Sequence, residues 1–175
     1  MKRFQRRLQP HLFATPRKAR PASLMLILLM FLGGVELLPA QTLEIIKYQD
    51  LLFGSMMREN SKSVAYPSTE AGLFELHGES RKKVSISVSS YTPSRDIDQL
   101  TLTILPKDIA YSRDGGVSWT ECKSATLSWT TQFPRTSGNT PAVILVRVGG
   151  TISSSSGQQR GEYRGSVRLT ASYTN

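Results

Sequence analysis

The chain has 175 residues, 39% hydrophobic and 20% charged, with 22 Lys and Arg against 13 Asp and Glu and a single cysteine. That length suits one domain behind a leader, and one cysteine excludes an internal disulfide framework. Residues 1–40 hold 7 of the basic and 1 of the acidic side chains, so the remainder carries 15 against 12, a net charge of +3, and the step from high charge to a nucleic-acid partner fails.

The first predicted element is a leader. Lys2, Arg3, Arg6, Arg7, Arg17, Lys18 and Arg20 precede an unbroken apolar run from Leu24 to Leu32, then Gly33, Gly34, Glu36 and Leu38-Pro39-Ala40. A basic region, an apolar run and a small-residue exit form the order of a secretory signal. The run falls short of the ~20 residues that span a bilayer, and Glu36 would interrupt a longer one. We expect residues 1–40 to be a helical signal peptide cleaved after Ala40, with a retained N-terminal anchor as the alternative. Residues 41–175 are then one exported domain, in the periplasm, on the outer surface or outside the cell, with no membrane span in the mature chain.

From Leu43 to Asn60 the apolar residues Ile45, Ile46, Leu51, Leu52 and Met56 would fit a helical stripe, but Gly54 interrupts it, and strand plus loop is the preferred reading. Leu73 to His77 is a short strand candidate. Val84, Ile86 and Val88 alternate with Ser85, Ser87 and Ser89, and Leu100, Leu102 and Ile104 alternate with Thr101 and Thr103. Period two places one set on a core face and the other in water. Ala142 to Val148, bounded by Pro141 and Gly149-Gly150, is nearly continuously apolar and reads as a central strand covered on both faces. At the end, Tyr163, Gly165, Val167, Leu169, Ala171 and Tyr173 alternate with polar residues in one long strand from Glu162. Thr92-Pro93-Ser94, Asp114-Gly115-Gly116, Pro134 to Asn139 and Ser153 to Gly157 read as turns. Short strands with polar turns predict an all-β antiparallel sandwich of immunoglobulin-like or pilin-like form.

Chemistry is sparse in this pattern. The predicted domain has one histidine, His77, at a strand end, which suits a satisfied surface residue better than a catalytic base. One His and one Cys offer no nitrogen or sulfur metal site, and Asp96 and Asp98 alone make a poor calcium loop. Glycine-rich phosphate cradles are absent, and the acids fall mostly on wet faces and turns. No catalytic residue, metal ligand or cofactor is expected.

The octapeptide Ser112 to Trp119, S-R-D-G-G-V-S-W, fits S-x-D-x-G-x-x-W. Ile109–Ser112 and Val117–Thr120 are strand-like, Gly115 and Gly116 permit a turn, and the Asp114 carboxylate and Ser112 hydroxyl can bond its backbone. Trp119 can pack beneath it. Ser112, Asp114, Gly116 and Trp119 are therefore expected to hold a structural hairpin. The motif resembles the Asp-box of sialidases and other sugar-related β proteins, where it is a repeated fold element set apart from the catalytic centre. One copy, in a domain too short for a multi-bladed propeller, implies a hairpin and not a sialidase.

A wider resemblance rests on the order of several motifs: Leu52-Phe53-Gly54, Leu73-Phe74-Glu75-Leu76-His77-Gly78, Val148-Gly149-Gly150-Thr151-Ile152 and Gly161-Glu162-Tyr163-Arg164-Gly165-Ser166-Val167 running to Tyr173. This order resembles the bacterial family of domains of unknown function numbered 4402, over nearly all of Thr42 to Asn175. Leu52 directly before Phe53 and His77 in the second motif depart from the family pattern. The resemblance implies secretion and an all-β domain but no reaction. The glycine-started terminal strand, Gly161 to Tyr173, is also similar to that of fimbrial and spore-coat-U-like subunits, which implies assembly with copies of itself or other surface subunits by strand addition. Leu43 and Ile45 would suit a donor segment, although pairing within the same domain is preferred. The expected function is a non-enzymatic structural or assembly subunit. The alternative is a glycan- or ligand-binding module using exposed aromatics such as Trp129 or Tyr91, and a small hydrolase is a distant third.

Overall fold

The computed structural model describes residues 42–95, 98–138 and 140–174. The predicted signal segment and Asp96 lie outside the described residues. The elements are β1 (Glu44–Gln49), β2 (Ser61–Val64), β3 (Gly72–Gly78), β4 (Lys83–Arg95), β5 (Asp98–Gln99), β6 (Thr101–Thr103), a 3-10 turn (Pro106–Asp108), β7 (Ile109–Ser112), β8 (Thr120–Glu121), β9 (Ser128–Gln132), β10 (Ala142–Val148), β11 (Gly150–Ser153) and β12 (Arg164–Tyr173). The described residues contain no α-helix, and Leu43 to Asn60 is strand followed by loop.

All strand pairs are antiparallel. The first sheet runs β1-β3-β10-β7-β8. The second places β4 between β12 on one side and β9 and β5 on the other, β9 along its first half and β5 at its far end. A third, small sheet is β2-β11-β6. The inner residues Phe74, Leu76, Ile109, Ile144, Val146 and Val148 of the first sheet join Val84, Ile86, Val88 and Leu169 of the second in one buried cluster. The fold is an antiparallel β-sandwich, and the period-two residues of β4 fill it as their alternation requires.

Gly149 joins two of these sheets. The chain leaves β10 there and enters β11, and a Cβ at this position would stand 2.1 Å from the Val64 carbonyl oxygen. Its N–H donates to the Asp108 carbonyl at 2.7 Å. Only glycine lets the backbones come this close.

Four expectations change. Ala142–Val148 is central by pairing, but its burial alternates, with Val143, Leu145 and Arg147 half-covered on the outer side. Thr92-Pro93-Ser94 is not a turn: β4 continues through it to Arg95. A register shift there sets one β12 residue, Gly165, against two on β4, so the proline sits in a bulge where its missing N–H is tolerated. The return strand of the hairpin begins at Thr120 and spans two residues. The last strand begins at Arg164, so Gly161 and Tyr163 precede it.

Candidate functional site

The hairpin after β7 is organised by one buried hydroxyl. Ser112, 2% exposed, donates to Asp114 Oδ1 at 2.6 Å and accepts the Gly116 N–H at 2.8 Å. The Asp114 carboxylate also accepts the Ser118 N–H, at 3.0 and 3.1 Å to its two oxygens, and the Ser118 hydroxyl. Hydrogen bonds from the Ser112 and Ser118 hydroxyls and the Ser118 N–H hold its pKa well below the usual carboxylate range. Gly115 and Gly116 take φ of +73° and +92°, which L side chains rarely adopt. Trp119 lies beside Gly116, and the Arg147 guanidinium stands 5.1 Å from its ring centre. Every polar group of the octapeptide that reaches Asp114 is spent on the turn, which leaves the carboxylate fixed in its ionised form and poorly suited to proton transfer.

The sandwich has two dissimilar flanks. On the side of β8 and β9, Tyr111 stacks on Trp129 with ring centres 5.9 Å apart, and both pack against the buried core, to which Cys122 belongs. Trp129 is thus half-buried interior packing and not an exposed glycan platform, which corrects that part of the sequence reading. Its indole N–H has no hydrogen-bond partner among the described residues.

On the other side lie the two outermost strands, β1 and β12, each paired along one edge only among the described residues. Between the chain that follows β1 and the chain that leads into β12 is an open groove of about 1290 Å³. Phe74, Leu102, Val148, Ile152 and Val167 form much of its apolar lining. Leu52 and Met57, on the loop after β1, are 55% and 80% exposed. The β12 side is fixed by Gln158, whose Nε2 donates to the Tyr163 hydroxyl at 2.8 Å, while that hydroxyl donates to the Gln159 carbonyl at 2.9 Å. Gly161, at φ +150°, lets the Arg95 guanidinium lie against the backbone and donate to the Arg160 carbonyl. Gly165 approaches Tyr91 and Pro93, where a Cβ would meet the Tyr91 carbonyl oxygen at 2.9 Å. Val167, Leu169, Ala171 and Tyr173 then alternate inward as expected, and the Tyr173 hydroxyl accepts the Glu79 N–H at 2.8 Å.

The polarity of the β12 edge follows from one hydrogen bond. The Thr174 N–H donates to the Lys83 carbonyl at 3.1 Å, so even-numbered residues of this strand, from Ser166 onward, direct their amides to β4. The amides of Val167, Leu169 and Ala171 therefore point to the free edge. The same residues direct their side chains inward, so main-chain donors and apolar side chains are offered together.

The groove brings no acid–base pair together. Its acids are both ion-paired, Asp50 with Lys47 at 2.7 Å and Glu162 with Arg164 at 2.9 Å. Away from the groove, His77 bonds Glu75 at 2.6 Å on the outer side of β3, and the same carboxylate raises the pKa of the Tyr48 hydroxyl through a hydrogen bond and its charge. Among the described residues no group of three His, Cys, Asp or Glu side chains is placed to hold a metal ion, and no helix is long and apolar enough to cross a membrane. The groove was missed in the sequence because it depends on which strands lie outermost; its one legible signal was the alternation of Val167 to Tyr173.

A comparison with curated proteins returns no match. The model of a family described as a domain of unknown function (DUF4402) matches residues 43–173, which takes in every strand from β1 to β12, and the chain belongs to that family.

Proposed function

We propose that the protein is an exported, non-enzymatic structural subunit that assembles with copies of itself or with other surface subunits by adding an extended segment to its own sheet. The observation that carries this reading is the β12 edge. Its outward amides at Val167, Leu169 and Ala171 lack partners among the described residues, and at one end of the row Val167 lines the apolar groove. Sheet edges of this kind pair with another chain unless they are short, charged or covered. An incoming strand satisfies the row of donors and acceptors while its alternate side chains fill the groove. Export is supported by the leader pattern of residues 1–40.

The test uses Val167→Pro, which removes an amide from the free edge and none from the β4 ladder. The wild-type chain is expected to form oligomers by light scattering after gel filtration, and the variant to be monomeric with a thermal midpoint within a few degrees. Val167→Lys, which sets a charge in the groove without constraining the backbone, is expected to act in the same way. A strictly monomeric wild-type protein, or oligomers that survive both substitutions, would sink the proposal.

A further inference from the structure

The outer face of the sheet formed by β9, β4 and β12 lies opposite the core, and apart from Ser166 at its far end the residues named below do not line the groove. Residues directly opposite one another in an antiparallel sheet project to the same side. Ser85 pairs with Ser172 and Thr130, and Ser87 pairs with Thr170 and Ser128, which sets two ranks of three hydroxyls across three strands. Ser89 continues the central row, opposite Arg168. The strands that carry a rank lie ~4.8 Å apart, and successive ranks repeat every ~6.8 Å, the rise of two residues.

The composition of this face narrows what can sit on it. The two ranks contain no charged or apolar side chain; Lys83 lies beyond them at one end, and Arg168, opposite Ser89, stands between them and the Ser166–Tyr91 pair. A protein interface needs an apolar centre, and an ordinary solvated face mixes charges of both signs. This face has neither. The Ser87 and Thr170 hydroxyls bond each other at 2.6 Å. Beyond the ranks, Tyr91 lies on the same row of β4, opposite Ser166, and is 51% exposed. The Arg168 guanidinium stands 5.4 Å from its ring centre and steadies the ring. An uncharged hydroxyl array ending in a supported aromatic ring complements an uncharged ligand that is itself rich in hydroxyls and has flat apolar faces.

We propose that this face binds a neutral, extended polysaccharide, with Tyr91 stacking on a sugar ring and the ranks of Ser85, Ser87, Ser128, Thr130, Thr170 and Ser172 bonding sugar hydroxyls. The site goes beyond the assembly reading and does not depend on it. Full-length protein is mixed with microcrystalline cellulose, chitin or, as the anionic counterpart, alginate beads, and its depletion from the supernatant is measured. A neutral polysaccharide is expected to deplete the wild-type protein. The double variant Ser85→Lys, Thr170→Lys and the single variant Tyr91→Ala are each expected to bind about tenfold more weakly with unchanged thermal midpoints. Three outcomes overturn the proposal: no depletion by cellulose or chitin, equal retention of the variants, or retention by alginate alone that salt abolishes. Sugar-independent dimers broken by the double variant would also overturn it, by assigning the face to a second copy. Val167→Pro leaves this face intact, so the assembly and polysaccharide readings fail separately.

Discussion

Gly149→Ala gives a direct test of how closely the sheets are held together. The added Cβ would stand 2.1 Å from the Val64 carbonyl oxygen and 3.1 Å from the Ala65 carbonyl carbon, both backbone atoms that cannot swing aside. Either β2 or the β10–β11 chain must move by about an ångström, as overpacked sites do at a cost of ~1–3 kcal/mol. That shift also strains the pairing of Gly150 with Val64 and the Gly149 N–H bond to Asp108, and each lost bond adds ~1 kcal/mol. With both lost the sum is ~3–5 kcal/mol, which corresponds to a fall in thermal midpoint of roughly 15 °C for a domain of this size. Gly157→Ala is the matched control, since nothing lies within 4 Å of a Cβ there, and it is expected to be neutral or slightly stabilising. Thermal unfolding by circular dichroism reads both. A Gly149→Ala midpoint within a degree of wild type, or an equal fall in Gly157→Ala, would refute the close-approach reasoning.

The hairpin supplies two further expectations. Ser112→Ala removes the acceptor of the Gly116 N–H and a donor to Asp114, and should lower stability by ~1–3 kcal/mol in urea unfolding; an unchanged midpoint would show that the turn does not need the hydroxyl. The folded pKa of Asp114 lies below its unfolded value, so its contribution is fully present above the unfolded carboxylate pKa of ~3.9 and fades as pH falls through the folded value. Asp114→Asn should therefore reduce the midpoint at neutral pH and flatten its decline in acid, whereas a decline parallel to wild type below pH ~4 would count against an ionised Asp114 in the turn.

What the sequence reveals and conceals divides along physical lines. Val84, Ile86 and Val88, or Val167 to Tyr173, betray their strands because one face is buried and the side-chain period of two is then visible. β2 and β9 carry no such signal: Ser61–Val64 and Ser128–Gln132 contain few apolar residues and are strands because partners hold them. Pro93 signals a turn locally and is overridden by the bulge opposite Gly165. Trp129 reads as exposed because its neighbours Ser128 and Thr130 are polar, yet those neighbours face outward and the ring faces Tyr111. The hairpin was legible because all its bonds are local. The groove was not, because it arises between β1 and β12, strands at opposite ends of the chain.

The unlikeness of the two flanks has a geometric consequence for assembly. One flank is sealed by the Tyr111–Trp129 stack and the other is open between β1 and β12. On the proposed mode of assembly the groove differs from the segment it receives, so unless two chains exchange segments reciprocally the contact is head-to-tail and lacks a two-fold axis. Repetition of such a contact closes only if its rotation happens to complete a ring; otherwise each added subunit exposes the next open groove, and growth proceeds in one direction as a fibre.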